Sequence, residues 1–435
     1  MTESSQPRPS TVADEAVPEQ GLSRRGLLAL GGGAGLAAGA LAGGFATAAF
    51  TSKTTALSDT LEYPFHGEHQ GGIVTPAQDR MHFAAFDLRA DVTRDDLIEL
   101  LQDWTYAASR LVMGLDVSAK GAFGGGPYLP PDDTGEAAGL GPSGLTITFG
   151  FGRTLFRAED GADRFGLAAQ LPAEFGPLPK MVNDFMDPAR SGGDLCIQAC
   201  ANDPQVAVHA IRNLTRIGFG RSRLRWSQLG FGRTSSTSTA QVTPRNLFGQ
   251  KDGTNNLKAE EPERLTEHVW ISDGPVWSRG GSYLVARRIS MTIEVWDGLQ
   301  LQEQNRLLGR DKASGAPLSG GEEFTAPDFA ATDAGGQLAI DQRSHVFRTH
   351  PDNNEGIAML RRGYNFVDGN DDIGRLDAGL FFVAFVKSPE RFAKVHQNMA
   401  RDDMFVEYLK TTSSSVFLIP AGIAEGEYVG QALFG

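Results

Sequence analysis

The sequence predicts an α+β fold in which one plan, helices packed on an antiparallel sheet, is used twice. Two observations carry this. The apolar run from Asp194 to Cys200 leads through Asp203-Pro204 into a helical pattern, and Leu380 to Val386 leads through Ser388-Pro389 into another around Val395. A capping residue followed by proline at the first helical position marks a strand-to-helix turn. Between these, Tyr283 to Trp296 alternates Ile289, Met291, Ile293 and Val295 with Arg288, Ser290, Thr292 and Glu294, the period of a strand with one covered face. A chain of 435 residues is long enough to cover such sheets with a sizeable core.

The elements follow in order. Ser23-Arg24-Arg25-Gly26-Leu27-Leu28 opens an uncharged stretch, rich in Gly and Ala, that reaches Phe50, with small residues at Ala46-Thr47-Ala48. Residues 1–48 therefore read as a twin-arginine signal peptide, cleaved after Ala48, because so much Gly and Ala makes a poor membrane anchor. The twin-arginine export machinery is the implied partner, contact with the membrane is transient, and the destination is secreted or periplasmic.

His82 to Leu88 reads as a strand, and Thr93-Arg94-Asp95-Asp96 as the capping box of a helix buried through Leu97, Leu100, Leu101, Trp104, Ala108 and Leu111. Gly121 to Gly144 is a long Gly/Pro-rich loop, expected to flank a bound group. Leu145 to Gly152 is a strand; the helix after Asp203 runs through Ile211 and carries His209 as a packed histidine. The Ser/Thr-rich stretch Gly230 to Thr243 joins the halves, and a helix-like run after Trp296 reaches Leu308. The halves are placed at 60–235 and 236–435, each a ferredoxin-like (split βαβ) unit with an antiparallel sheet and packed helices.

Composition narrows the function. With 53 acidic and 40 basic residues the formal charge is −13, which argues against a broad nucleic-acid footprint. The two cysteines, Cys196 and Cys200, share one predicted strand, where four residues span roughly 13 Å. That is too far for a disulfide, so both read as small buried apolar groups.

The chemistry is read from two stretches. Gly249-Gln250-Lys251-Asp252-Gly253-Thr254-Asn255-Asn256 is a glycine-framed loop that presents a carboxylate. About a hundred residues later come Ser344-His345-Val346-Phe347-Arg348-Thr349-His350-Pro351 and then Met359-Leu360-Arg361-Arg362-Gly363-Tyr364. In that order, and with Asp133 to Ala137, Leu145 to Gly152, Gly193 to Asp203 and Arg306 to Leu318, they resemble the dye-decolourising haem peroxidases over nearly the whole mature chain.

The resemblance implies heme b held in the C-terminal half, with His345 as the iron ligand, and with Gly249, Gly253 and Arg361 at the cofactor. Asp252 would move a proton between the two peroxide oxygens, and Arg361 would stabilise the charge that develops as their bond breaks. His350 is the rival ligand. Arg362 is expected to face outward or to be structural, and Asp377 is expected to hydrogen-bond the ligating imidazole from behind. Trp226, Trp296, Tyr364 and Tyr408 read as core aromatics rather than relay residues. Hydrogen peroxide and phenolic or dye-like aromatic reductants are the implied substrates, with a ferryl intermediate. A deferrochelatase-like role, removing iron from haem with little peroxidase turnover, is the alternative that the same resemblance allows.

Overall fold

Two chain halves repeat one strand order in the computed structural model, which describes residues 60–181 and 184–435. The export signal read at residues 1–48 lies outside the described residues. The first half runs β1 (Arg80–Leu88), α1 (Arg94–Leu111), β2 (Thr146–Gly152), β3 (Leu195–Ala201), α2 (Pro204–Ile217) and β4 (Ser222–Arg233). The second runs β5 (Ser282–Met291), α3 (Leu301–Leu308), α4 (His345–Thr349), β6 (Leu360–Arg361), β7 (Tyr364–Asn370), β8 (Leu376–Val386), α5 (Pro389–Asp402) and β9 (Leu409–Ile419). Short helical turns connect them. Among the described residues no helix is long and apolar enough to cross a membrane.

All pairings between these strands are antiparallel. They give β4-β1-β3-β2 in the first half and β9-β5-β8-β7 in the second, the same split βαβ order twice. The two sheets are also joined to each other. β4 pairs with β7 and β2 with β9, so every strand of the nine except β6, which hangs on β8, belongs to one closed ring. Closure removes the exposed edges that an open sheet would offer to other chains.

The ring explains the burial pattern. Its interior is filled by alternate residues from both halves, among them Phe83, Trp226, Phe381 and Phe417, with ring centroids 5.2, 5.5 and 6.0 Å from Phe83. Cys196 and Cys200 sit in this interior as free thiols, and burial pushes the Cys196 thiol up. Outside the ring, α1 and α2 cover the first half through Leu97, Leu101, Trp104, Val206, Ala210 and Leu214. The α1 capping box is present: the Thr93 hydroxyl accepts from the Asp96 amide at 3.2 Å, and the Asp96 carboxylate accepts from the Thr93 amide at 2.8 Å. Asp203 caps α2, which continues past Ile211 to Ile217 because Asn213 and Leu214 extend its buried face.

Several expectations are corrected. The strand expected to reach Trp296 ends at Met291; Ile293–Asp297 is a helical turn that carries Trp296 inward to stack on Phe248, centroids 4.4 Å apart. Its alternation was read as a half-buried strand, yet the ring covers one face and other elements the other. Arg287 and Arg288 are therefore 1 % and 3 % exposed, neutralised by Asp184 and by Asp368 with Asp377. The start of the expected linker, Gly230 to Arg233, belongs to β4, and Thr234 to Ser238 beyond it are buried.

Candidate active site

The second half builds a cavity against the outer face of its own sheet. Arg287, Ile289 and Met291 of β5, Leu380 and Phe382 of β8, and Thr411 of β9 form the floor. α4 and α5 supply the opposite wall through His345, Val346, Thr349, Val395, His396 and Met399, with Phe405 beside them. Lys251 to Asn255, from the Gly249 to Asn256 loop, close a third side together with Met359 and Arg361. A lining that is mostly apolar with a few converging polar groups is what a bound cofactor requires.

His345 opens α4, where Ser344 caps the helix by accepting from the Phe347 amide. Its Nδ1 lies 2.7 Å from the Asp403 Oδ2, and Asp403 is fully buried, its Oδ1 accepting from the Phe405 amide at 2.9 Å. The tautomer is thereby fixed with the proton on Nδ1. Among the described residues Nε2 has no partner, which leaves it free to bind a metal. The expected carboxylate behind this imidazole was Asp377; that residue instead accepts from Arg288 Nη2 at 2.7 Å. Asp403 does the work from the far end of α5.

His350 also lines the cavity, half-buried against Phe329 at 5.2 Å between centroids, and burial lowers its pKa. It caps the turn after α4: its Nδ1 accepts from the Asp352 amide at 3.3 Å. Among the described residues the carboxylate beside it is the exposed Asp352, not a buried one as Asp403 is to His345.

The Gly249 to Asn256 loop is tied down by hydrogen bonds along its length. Gly249 and Gly253 have φ of +74° and +89°, the left-handed region that glycine enters without strain. Gly253 lines the cavity and packs on Ser235, whereas Gly249 turns the loop against Lys312 and is not part of the cavity wall. Asp252 Oδ1 accepts from Arg361 Nη1 at 2.8 Å. Asn256 then fixes the arginine's backbone: its Oδ1 accepts from the Arg361 amide at 2.7 Å and its Nδ2 donates to the Arg361 carbonyl at 2.9 Å. Lys251 and Thr254 are held by Glu323. Asp252 and Arg361 thus reach one cavity from segments more than a hundred residues apart, and the side-chain amide of Asn256 sets their register.

Arg362 points the other way. It is fully buried and donates to the Thr75 carbonyl and Gln78 Oε1, pinning the segment before β1, so it is structural rather than outward. Trp296 and Tyr364 are fully buried, Trp226 nearly so, and Tyr408 half-buried. The Gly121 to Gly144 loop does not line this cavity. Asp133 and Glu136 tie it to α2 through His209, at 3.5 and 3.2 Å, and Asn213 Nδ2 donates to Thr134 at 2.8 Å.

The donor set fits a haem: a backed imidazole with a free nitrogen, an apolar slot, and the cationic side chains Arg310 and Arg361 on the same wall system to meet acidic substituents. Among the described residues the Arg310 guanidinium donates to the carbonyls of Gly315 and Glu323, and burial lowers its pKa, so a bound anion would relieve it. His396 was not singled out from the sequence. Its Nδ1 is buried without a partner among the described residues, and burial together with Arg287 pushes its pKa down to about 3, so it stays neutral.

Comparison with known proteins agrees over the length of the chain. Residues 70–232 match the model of the N-terminal domain of Dyp-type peroxidases, and residues 243–424 match that of the C-terminal domain. A deferrochelatase of Escherichia coli (strain K12) is 34 % identical over 424 residues, covering 94 % of this chain and 96 % of that protein. Among solved structures, ferric DtpA from Streptomyces lividans is 40 % identical with a TM-score of 0.79, covering 87 % of this chain and 98 % of that one. A DyP-type peroxidase from Cellulomonas bogoriensis is 35 % identical with a TM-score of 0.77, covering 86 % and 99 %.

Proposed function

As the chain belongs to the Dyp-type peroxidase family and is a haem peroxidase, we propose that His345 holds the iron, that Asp252 is the proton carrier, and that Arg361 is the electrostatic partner. The observation that carries this reading is the pairing of His345 with the buried Asp403 on the same cavity as the Asp252–Arg361 pair. Bound haem supplies the redox centre at which hydrogen peroxide is reduced and reductants are oxidised. Asp403 keeps the proton on His345 Nδ1 and makes the imidazole a stronger donor through Nε2. Asp252 takes a proton from the incoming peroxide oxygen and returns it to the leaving oxygen, which departs as water. Arg361, its guanidinium permanently charged, faces the oxygen on which negative charge grows.

The reductants we assign are phenolic and dye-like aromatics, as the family resemblance implies; the slot lined by Phe382, Phe392 and Phe405 is taken by the haem itself, so such reductants give up their electrons at its edge or at a distance. The test is Asp252→Asn in haem-loaded protein. It should lower the rate of reaction with hydrogen peroxide about 100-fold or more with the haem absorption unchanged. An unchanged rate would remove Asp252 from the proton path. His345→Ala should lose haem or its histidine-ligated spectrum, and retention of both would refute the ligand assignment.

The relatives named deferrochelatase support a second reading, in which this cavity releases iron from haem. Incubation with haem and a reductant distinguishes it: metal-free porphyrin, seen by its fluorescence, favours iron release, and intact haem rules it out. We also assign residues 1–48 to twin-arginine export, on the Arg24-Arg25 pair and the Gly/Ala-rich stretch after it. Arg24→Lys with Arg25→Lys should leave the protein in the cytoplasm; unaltered export would refute that route.

A further inference from the structure

The geometry points to Asn246 as the positioning residue for Asp252, an inference that rests on the proton-carrier reading above. The Asp252 carboxylate is held at both oxygens: Oδ1 accepts from Arg361 Nη1 at 2.8 Å, and Oδ2 accepts from Asn246 Nδ2 at 3.3 Å. The torsion that turns an aspartate carboxylate is broad, so a single contact leaves the group free to swing about it. A second contact on the other oxygen fixes the plane.

Asn246 is itself oriented by the loop it begins. Its Oδ1 accepts from the amides of Phe248 at 3.1 Å and Gln250 at 3.4 Å, its own amide donates to the Gln250 carbonyl at 3.1 Å, and its carbonyl accepts from Gly249 at 2.9 Å. A flipped side chain would set its NH2 against two N–H donors, so the amide has one workable orientation. In that orientation the NH2 faces Asp252. The Asp252 amide, donating to the Pro244 carbonyl at 3.0 Å, closes the same turn from its other end. The turn from Asn246 to Asp252 therefore converts backbone geometry into the direction of one carboxylate. Proton transfer needs hydrogen-bond reach, and a misplacement of about 1 Å can cost about 100-fold in rate.

Two substitutions separate this role from merely folding the loop. Asn246→Asp keeps the oxygen that accepts from Phe248 and Gln250 but turns the donor into a second acceptor. Asn246→Ser also keeps an acceptor for those amides, adds no charge, and is too short to reach Asp252. Each is made in haem-loaded protein, alone and with Asp252→Asn. Two rates are read: reaction with hydrogen peroxide, and binding of cyanide to the ferric haem, followed by absorbance, where hydrogen cyanide must also give up its proton. Melting temperature and haem absorption serve as controls for folding.

Both substitutions should slow both rates about 10- to 100-fold with the controls unchanged. In the Asp252→Asn background they should add less than about twofold, because residues that act as one unit are not additive. Wild-type rates in both variants would overturn the inference. So would a loss that persists when Asp252 is already replaced. If Asp252→Asn alone leaves both rates intact, the proton-carrier reading itself fails and takes this one with it.

Discussion

His396 gives the stability of this fold a defined dependence on pH. Its ring lies 5.4 Å from that of Phe392, its Nδ1 is enclosed without a partner among the described residues, and the Arg287 guanidinium adds a like charge to the cost of burial. In the unfolded chain the imidazole takes up its proton near its ordinary value of 6.5, and in the folded chain only near about 3. Between these values the unfolded state binds the extra proton, so stability is retained above about pH 6.5 and falls as the pH falls.

From pH 6.5 down to 4.5 is two units, and at about 1.36 kcal/mol per unit the upper bound on the loss is about 2.7 kcal/mol. The ring is not sealed from the cavity, so about 1 to 2.7 kcal/mol is the expected range. The assay is urea unfolding of the haem-free protein, wild type and His396→Gln, at pH 7 and pH 4.5, which keeps haem binding out of the comparison. Wild type should lose about 1 to 2.7 kcal/mol more than the variant between the two pH values. Equal losses would refute the reasoning. It would mean that the folded protein lets His396 take its proton at no cost.

Three other outcomes follow from the site. Asp403→Asn removes the charge behind His345 while leaving an oxygen for the Phe405 amide; haem affinity should fall about 10- to 100-fold and the reduction potential of the loaded protein should rise, both read by absorption. Gly253→Ala puts a Cβ 2.9 Å from the Ser235 Cα at a φ of +89°, and should cost about 1 to 3 kcal/mol in thermal unfolding along with turnover. Gly249→Ala meets only the movable end of Lys312, 3.0 Å away, and should cost about 1 kcal/mol or less beyond the strain of its φ.

The parts of the fold that were legible in the sequence are those specified by local contacts. The Thr93–Asp96 capping box, the Asp203-Pro204 start of α2 and the alternation within β5 are encoded by residues a few positions apart. The burial of Arg287 and Arg288 was not legible. Alternation says that two faces differ and not what covers each: Arg287, on the face of Ile289 and Met291, meets the buried Asp184, and Arg288, on the other face, meets the partly exposed Asp368 and Asp377. The site divides in the same way. The Gly249 to Asn256 loop and the Arg361 stretch stand out by composition, whereas Asp403, which meets His345 across 58 positions, looks like any helix-terminal aspartate. Asp377 was chosen for its place before an apolar strand, but the strand carries it to Arg288 instead. Asn246 had a weak signal, an asparagine three residues before a glycine in a predicted turn.

The closed ring of strands has two narrow seams. Only Phe151↔Leu418 and Gly152↔Phe417 register β2 against β9, and only Phe231↔Asn365 and Arg233↔Tyr364 register β4 against β7. Elsewhere the ladders are long. Each half thus carries a well-paired sheet with two bare flanks and half of a shared interior, and each is sticky toward the other half and toward its counterpart in another molecule. Cutting the chain between residues 238 and 242, in the connection after β4, should yield fragments that complement each other when produced together and aggregate when produced alone. For the same reason two intact chains could trade halves, each completing the other's ring, so a crowded refolding reaction should form intertwined dimers whose haem cavities are intact.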